Sequence, residues 1–207
     1  MAWIGVRAQS ISFGIKAGLN LTELPATASG VSVTNNYLVG FHAGGLVDIK
    51  FGSFSIQPGI LFTTKGGKSA YTLTEDLSGA TLTATGNSTT TLNYIEVPVN
   101  FLYRMEAGDG NVFFGAGPYV GYGLSGKLVG DATAVGTTSH IDQSIKFGNS
   151  DGDVKNPDVG INGLVGYQLN NGLTVSAGYG YGLIDTSSAG ANVKNQGFSF
   201  SVGFFFQ

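Results

Sequence analysis

The sequence predicts an all-β fold, an eight-stranded antiparallel up-and-down barrel that crosses a membrane, on three observations. The first is alternation over long runs. From Leu92 to Met105, Ile95, Val97, Val99, Phe101, Tyr103 and Met105 share one parity, and Tyr94, Glu96, Pro98, Asn100, Leu102 and Arg104 share the other. A period of two defines a strand. After the turn signal Ala107-Gly108-Asp109-Gly110, Val112, Phe114, Ala116, Pro118, Val120, Tyr122 and Leu124 alternate with Asn111, Phe113, Gly115, Gly117, Tyr119, Gly121 and Gly123. Globular strands average ~5–6 residues, whereas a tilted strand needs ~9–11 to cross a bilayer, and both runs reach that length.

The second observation is composition. Only 11% of the 207 residues are charged, against roughly 25% in soluble domains, too little to cover a water-facing surface. No window approaches the ~18 consecutive apolar residues of a membrane helix, so the apolar content is spread through strands. The third is the rhythm of the connections, which alternate long and short, as in outer-membrane barrels.

Taken in order, the chain opens with a tail, residues 1–11, whose Arg7-Ala8-Gln9-Ser10 segment fits the remnant of a signal-peptide cleavage region. The barrel domain follows, residues 12–207. Its predicted strands are Ser12–Leu21, Tyr37–Phe51, Phe54–Lys65, the two strands of the hairpin just described, Asp158–Leu169, Leu173–Leu183 and Gln196–Phe206. Gly52-Ser53, the Gly108 turn and Asn170-Asn171-Gly172 are the short connections; Asn and Gly tolerate the positive φ such turns require. Residues 22–36, 66–91, 125–157 and 184–195 are the long ones. The second of these is rich in Thr, which favours strands and suggests that its flanking strands run on past the membrane.

Short turns face the periplasm in such barrels, which places both termini there. Phe13, Phe51, Phe54, Tyr103, Phe114, Tyr167 and Phe204 then form a lower aromatic girdle, and Phe41, Phe62, Tyr122, Tyr181 and Phe198 an upper one. The other face is Gly, Ser, Thr and Asn with few charges. A soluble lipocalin-like barrel would carry many Lys and Glu there, so the small polar face belongs in the lumen, which eight strands make narrow enough for side chains to fill. The inward Lys16, His42, Asp48, Lys50, Glu96 and Arg104 are expected to form a charge network, because unpaired charge in a confined interior is costly. Pro58, Pro98 and Pro118 each remove a ladder donor, which predicts bulges or missing ladder bonds and a possible change of strand phase.

Other chemistry finds little support. The chain has no Cys, so thiolate metal sites and disulfides are excluded, and its net charge of −3 with scattered Lys and Arg gives no nucleic-acid footprint. No cofactor motif is present: Gly115, Gly117, Gly121 and Gly123 do not form GxGxxG. Asp151, Asp153 and Asp158 supply hard oxygen ligands of the kind calcium prefers, without the Glu that would complete an EF-hand loop, and stand as weak metal candidates in the third long loop. A hydrolase or acyltransferase would need His42 or His140, the two histidines.

Tyr94-Ile95-Glu96-Val97-Pro98, Gly117-Pro118-Tyr119 with Gly121 and Leu124-Ser125-Gly126-Lys127, and Gly178-Tyr179-Gly180-Tyr181-Gly182-Leu183 resemble the PorT-like outer-membrane β-barrel family, from the Phe13-Gly14-Ile15-Lys16-Ala17-Gly18 opening to the aromatic last strand. Gln207 departs from the usual aromatic terminus, with Phe206 next to it. The resemblance implies an eight-stranded barrel inserted by the outer-membrane assembly machinery through its C-terminal strand. The name-giving member is linked to protein secretion, and no residue here carries that role over. The expectation is an integral outer-membrane barrel without enzymatic activity or cofactor, surrounded by outer-membrane lipid, acting through its external loops in binding or structure. The loops name no ligand. A membrane-embedded hydrolase, a secretion accessory, a soluble ligand-binding barrel and a pore are the alternatives.

Overall fold

The computed structural model describes residues 10–25, 32–77, 80–148, 154–186 and 193–206. Ten strands form one sheet: β1 (Ser10–Glu23), β2 (Ser32–Asn36), β3 (Leu38–Phe51), β4 (Phe54–Leu77), β5 (Ala80–Ala107), β6 (Gly110–Ala134), β7 (Thr137–Ile145), β8 (Asp158–Leu169), β9 (Leu173–Gly182) and β10 (Gln196–Phe206). Eight of them close a ring, β1-β3-β4-β5-β6-β8-β9-β10 and back to β1, with every pair antiparallel. The eight predicted strands are those eight. β1 begins at Ser10 and takes in the end of the predicted tail.

β2 and β7 were predicted as loop. They pair with the upper parts of β4 and β6, so that β2-β4-β5-β6-β7 continue as a five-stranded sheet beyond the barrel. The Thr-rich stretch expected to prolong its strands does so: β4 and β5 stay paired from Phe54↔Tyr103 to Leu77↔Ala80. From Phe62 to Leu77 is roughly 50 Å along the strand at ~3.3 Å per residue.

The phase of every barrel strand is as the alternation indicates. Phe13, Val39, Phe54, Ile60, Phe101, Tyr122, Ile161, Val175 and Phe200 are all exposed on the outside, while Asn20, His42, Asp48, Asn100 and Ser201 are buried on the inside. Among the described residues the buried set holds seventeen polar or charged side chains against nine large apolar ones. A water-soluble barrel would reverse that ratio.

The prolines interrupt the ladder without moving the register. β3 and β4 pair at Leu46↔Gly59 and again at Ile49↔Ile56, skipping Pro58. β4 and β5 resume from Pro58↔Val99 at Leu61↔Glu96, skipping Pro98, and β5 and β6 skip Pro118 between Pro98↔Tyr119 and Phe101↔Ala116. The missing bonds were expected; a phase change at a proline does not occur. The one register shift in β5 and β6 falls at Asn93/Tyr94, where Leu124 is the extra residue of a bulge.

That bulge lies at the top of the apolar belt. Just above it, Thr64 Oγ1 donates to Asn93 Oδ1 (2.9 Å) and Asn93 Nδ2 donates to Ser125 Oγ (3.1 Å), a polar row across three strands. Beyond the row the outer face is hydrophilic: Thr72, Thr85, Thr133 and Thr138 stand side by side, His140 Nδ1 meets Asp131 at 2.9 Å, and Lys127 pairs with Asp142 at 3.1 Å. The aromatic bands also take shape as contacts. Phe54, Tyr103 and Phe114 touch in series at 5.0 and 5.7 Å near the short turns. At the other end Phe41 meets Phe62 at 5.5 Å and Phe198 meets Tyr179 at 4.9 Å. Tyr167, at the lower rim, donates its hydroxyl to Ala107 O at 2.7 Å.

Candidate functional site: the polar lumen

Inward-facing side chains of the eight barrel strands gather in three tiers. The lowest is built on Asp48, fully buried on β3. Arg104 of β5 reaches it with Nη2 at 2.8 Å, directs Nη1 to Gln168 Oε1 (2.6 Å) and Nε to Ser55 (3.4 Å), and stands 5.3 Å from the Phe113 ring. Gln57 adds a long 3.5 Å contact, and Lys50 sits at 3.8 Å from the same carboxylate near the mouth. Three residues of the predicted charge network, Asp48, Lys50 and Arg104, thus meet. Each of the three guanidinium nitrogens thus has an acceptor, which helps to offset the cost of burying the ion pair.

In the middle tier His42 lies across the barrel wall to join three strands. Its Nδ1 is 2.8 Å from Asn20 Oδ1 on β1 and its Nε2 is 2.9 Å from Ser201 Oγ on β10. Gly18 makes this span possible, since it separates His42 from Ser201 in register and a Cβ there would come within 2.7 Å of the imidazole. The hydrogen bonds settle the tautomer. Asn20 Nδ2 donates to Phe41 O, Thr63 Oγ1 and Thr64 O at 3.0–3.2 Å, so Oδ1 is the atom that faces His42. Nδ1 therefore carries the proton, and Nε2 accepts from the Ser201 hydroxyl.

This Ser–His–Asn order has the connectivity of a nucleophile, base and orienting group. It lacks an oxyanion hole of backbone amides. Ser201 is laddered to Gly18 on one side and Ser176 on the other, and ladder N–H groups lie in the wall and do not point into the lumen. As built, the cluster is a brace joining β1, β3 and β10.

The upper tier centres on Lys65, which the sequence places at a strand end and which is not among the predicted lumen charges. Its Nζ is 2.5 Å from Glu96 Oε2, 3.2 Å from Asp158 Oδ2 and 3.9 Å from the centre of the Tyr119 ring. Asn195 Nδ2 donates to Asp158 Oδ2 (3.2 Å) and to the Tyr94 hydroxyl (3.3 Å). Glu96 thus pairs with Lys65 and does not turn to His42. Asp158, named with Asp151 and Asp153 as a metal candidate, opens β8 where the predicted strand begins and is buried against Lys65. Asp151 and Asp153 lie outside the described residues. Above this tier Phe147 stacks edge-on to Tyr94 at 5.5 Å, and Asn156 Oδ1 accepts from Gly123 N at 3.0 Å, so these two residues cover part of the mouth.

Between the upper and middle tiers lies a cavity of about 90 Å³, lined among others by Lys16, Lys65, Glu96, Asn100, Ser176 and Asn195. A smaller one of about 20 Å³ lies below, with Lys16, Arg104 and Gln168 in its wall. Lys16, also predicted to pair, lines both cavities and makes no ion pair or hydrogen bond among the described residues. Of the members that sequence reasoning missed, Tyr94, Tyr119, Asn20 and Ser201 have inward parity, and Asn195 falls in the predicted connection just before β10. For the first four the signal was phase alone, with no charge to single them out.

A ring closed by hydrogen bonds, apolar outside and polar within, defines an integral membrane β-barrel. This chain belongs to the outer membrane protein beta-barrel domain family, whose model matches residues 7–188. No curated protein sequence matches it. Solved structures to which it is similar include Neisserial surface protein A of Neisseria, 13% identical over 97% of this chain and 100% of that one, with a TM-score of 0.46. Another is Ail, the attachment invasion locus protein of Yersinia pestis, in complex with the heparin analogue sucrose octasulfate, 13% identical over 95% and 99%, with a TM-score of 0.43. A third is the translocator domain of the autotransporter NalP from Neisseria meningitidis, 12% identical over 98% and 91%, with a TM-score of 0.30.

Proposed function

We propose that this outer-membrane barrel is a non-enzymatic surface protein whose working part is the sheet that β2, β4, β5, β6 and β7 raise above the membrane. The observation that carries this is the continuation of β4, β5 and β6 well past the upper aromatic band, paired throughout and polar outside. A membrane anchor alone would need none of it. The lumen, braced by ion pairs and hydrogen bonds, serves to hold that platform rigidly. In this reading the short turns and both chain termini face the periplasm, lipid surrounds the belt, and the C-terminal strand presents its aromatic Phe204 and Phe206 to the outer-membrane assembly machinery.

The absence of cysteine makes the orientation directly testable. Val135, 81% exposed at the β6–β7 turn, and Ser53, exposed in the β3–β4 turn, mark opposite ends of the molecule. In intact cells a membrane-impermeant maleimide is expected to label Val135→Cys, and to label Ser53→Cys only after the outer membrane is broken. Labelling of Ser53→Cys alone in intact cells would invert the orientation and remove the sheet from the surface.

A further inference from the structure

We propose that the larger lumenal cavity is a binding site for a small zwitterion of the α-amino acid class. The argument rests on how charge is left over around it. In the upper tier two carboxylates, Glu96 and Asp158, share the single cation Lys65, leaving one negative charge in excess. On the other side Lys16 has no ion-pair partner among the described residues. Arg104 and Lys50 are committed to Asp48 one tier down, and His42 is bonded at both ring nitrogens, to Asn20 and Ser201. The cavity therefore separates a positive end from a negative end.

Neutral polar groups line the same cavity. Asn100 Oδ1 and Asn195 Oδ1 are buried acceptors with no donor among the described residues, on side chains 3% and 1% exposed, and both residues line the cavity. Such acceptors suit an ammonium group. The lining also includes the hydroxyls of Ser176 and Ser199, which suit a carboxylate. A simple anion would match Lys16 and leave the Glu96 end unanswered, and a simple cation would do the reverse; a zwitterion meets both at once.

Size narrows the class. A single water needs about 10–15 Å³ of such space, so about 90 Å³ admits a molecule of a few heavy atoms, and Leu61, Leu164 and Pro98 in the wall leave no room for a large side chain.

The test is equilibrium dialysis of the barrel folded in detergent micelles, its folding verified by heat-modifiable gel mobility. The probes are radiolabelled glycine, alanine, phenylalanine, acetate and methylammonium. Saturable retention of glycine or alanine is expected, with acetate, methylammonium and phenylalanine each weaker by about tenfold or more, equivalent to ~1.4 kcal/mol. Lys16→Met, which removes an unpaired charge and so should fold at least as well, is expected to weaken glycine retention about tenfold. Asn100→Leu provides a second variant on the acceptor side, with the same expectation. No saturable retention, acetate held as well as glycine, or undiminished glycine binding by folded Lys16→Met would each overturn the proposal.

Discussion

Asp48 is the residue on which the lower lumen depends, because it is fully buried and answers both Arg104 and Lys50. Its two partners differ in what they contribute. Arg104 is buried with it, so Asp48→Leu would strand a guanidinium inside the barrel, at a cost of roughly 3–5 kcal/mol. Lys50 is about a third exposed and 3.8 Å away, so Lys50→Met should cost at most about 1 kcal/mol. Urea unfolding in phospholipid vesicles, followed by gel mobility, would read both. Pairing Asp48→Leu with Arg104→Met should recover most of the loss, because an apolar pair of similar volume replaces the ion pair. Equal losses for Asp48→Leu and Lys50→Met would refute this division of labour. At this scale the sequence told which residues point inward and little about which of them meet. Asp48 and Arg104 were both recognisable as lumenal, yet Glu96 found Lys65, a residue that looks like the start of a loop until β4 is seen to run on through it. Partner choice depends on barrel stagger, which brings β4, β5 and β8 together at one height. A single sequence does not encode stagger in any local pattern.

Among the elements, β4, β5 and β6 combine two properties, the greatest length and the prolines. Pro58, Pro98 and Pro118 lie on neighbouring strands at nearly the same level, so the skipped pairs form a continuous gap in the ladder from β3 to β6. On the opposite wall β8, β9 and β10 are paired without interruption. Amide protection follows paired backbone. In hydrogen exchange of the detergent-folded barrel, segments 57–60, 97–100 and 117–118 should therefore exchange faster than 162–168, 174–180 and 198–203. Uniform protection around the ring would show that the gap is closed by bonds absent from this structure. The strands themselves were legible because alternation is local and the turns are marked by Gly and Asn. Gly172, for one, takes the positive φ (93°) that its place after Asn171 predicts. β2 and β7 were not legible. They are short, mostly polar and stabilised by the edges of β4 and β6, and Val33, Ile141 and Ile145 are too few to set an apolar period of two.

For the whole molecule the governing feature is that the apolar surface faces outward, and this can be tested by one substitution. Phe101 lies on the lipid-facing side of β5, 55% exposed, between the two aromatic bands. If water surrounded the barrel, replacing an exposed side chain by Arg would change stability by no more than about 0.5 kcal/mol. Surrounded by hydrocarbon, an Arg near the midplane costs about 2–4 kcal/mol, falling to about 0–1 near the interfaces. Phe101→Arg is therefore expected to lower vesicle-folded stability by the larger amount, and Tyr122→Arg, at the upper band, by the smaller. The Thr-rich sheet supplies a control. Thr85→Arg lies on the same continuous outer face but above the polar row of Thr64, Asn93 and Ser125, and it should cost almost nothing. A gradient running from Thr85 through Tyr122 to Phe101 would trace the membrane boundary along a single wall of the barrel. If all three substitutions were equally mild, the belt would not lie in lipid, and the inside-out reading of the fold would have to be given up.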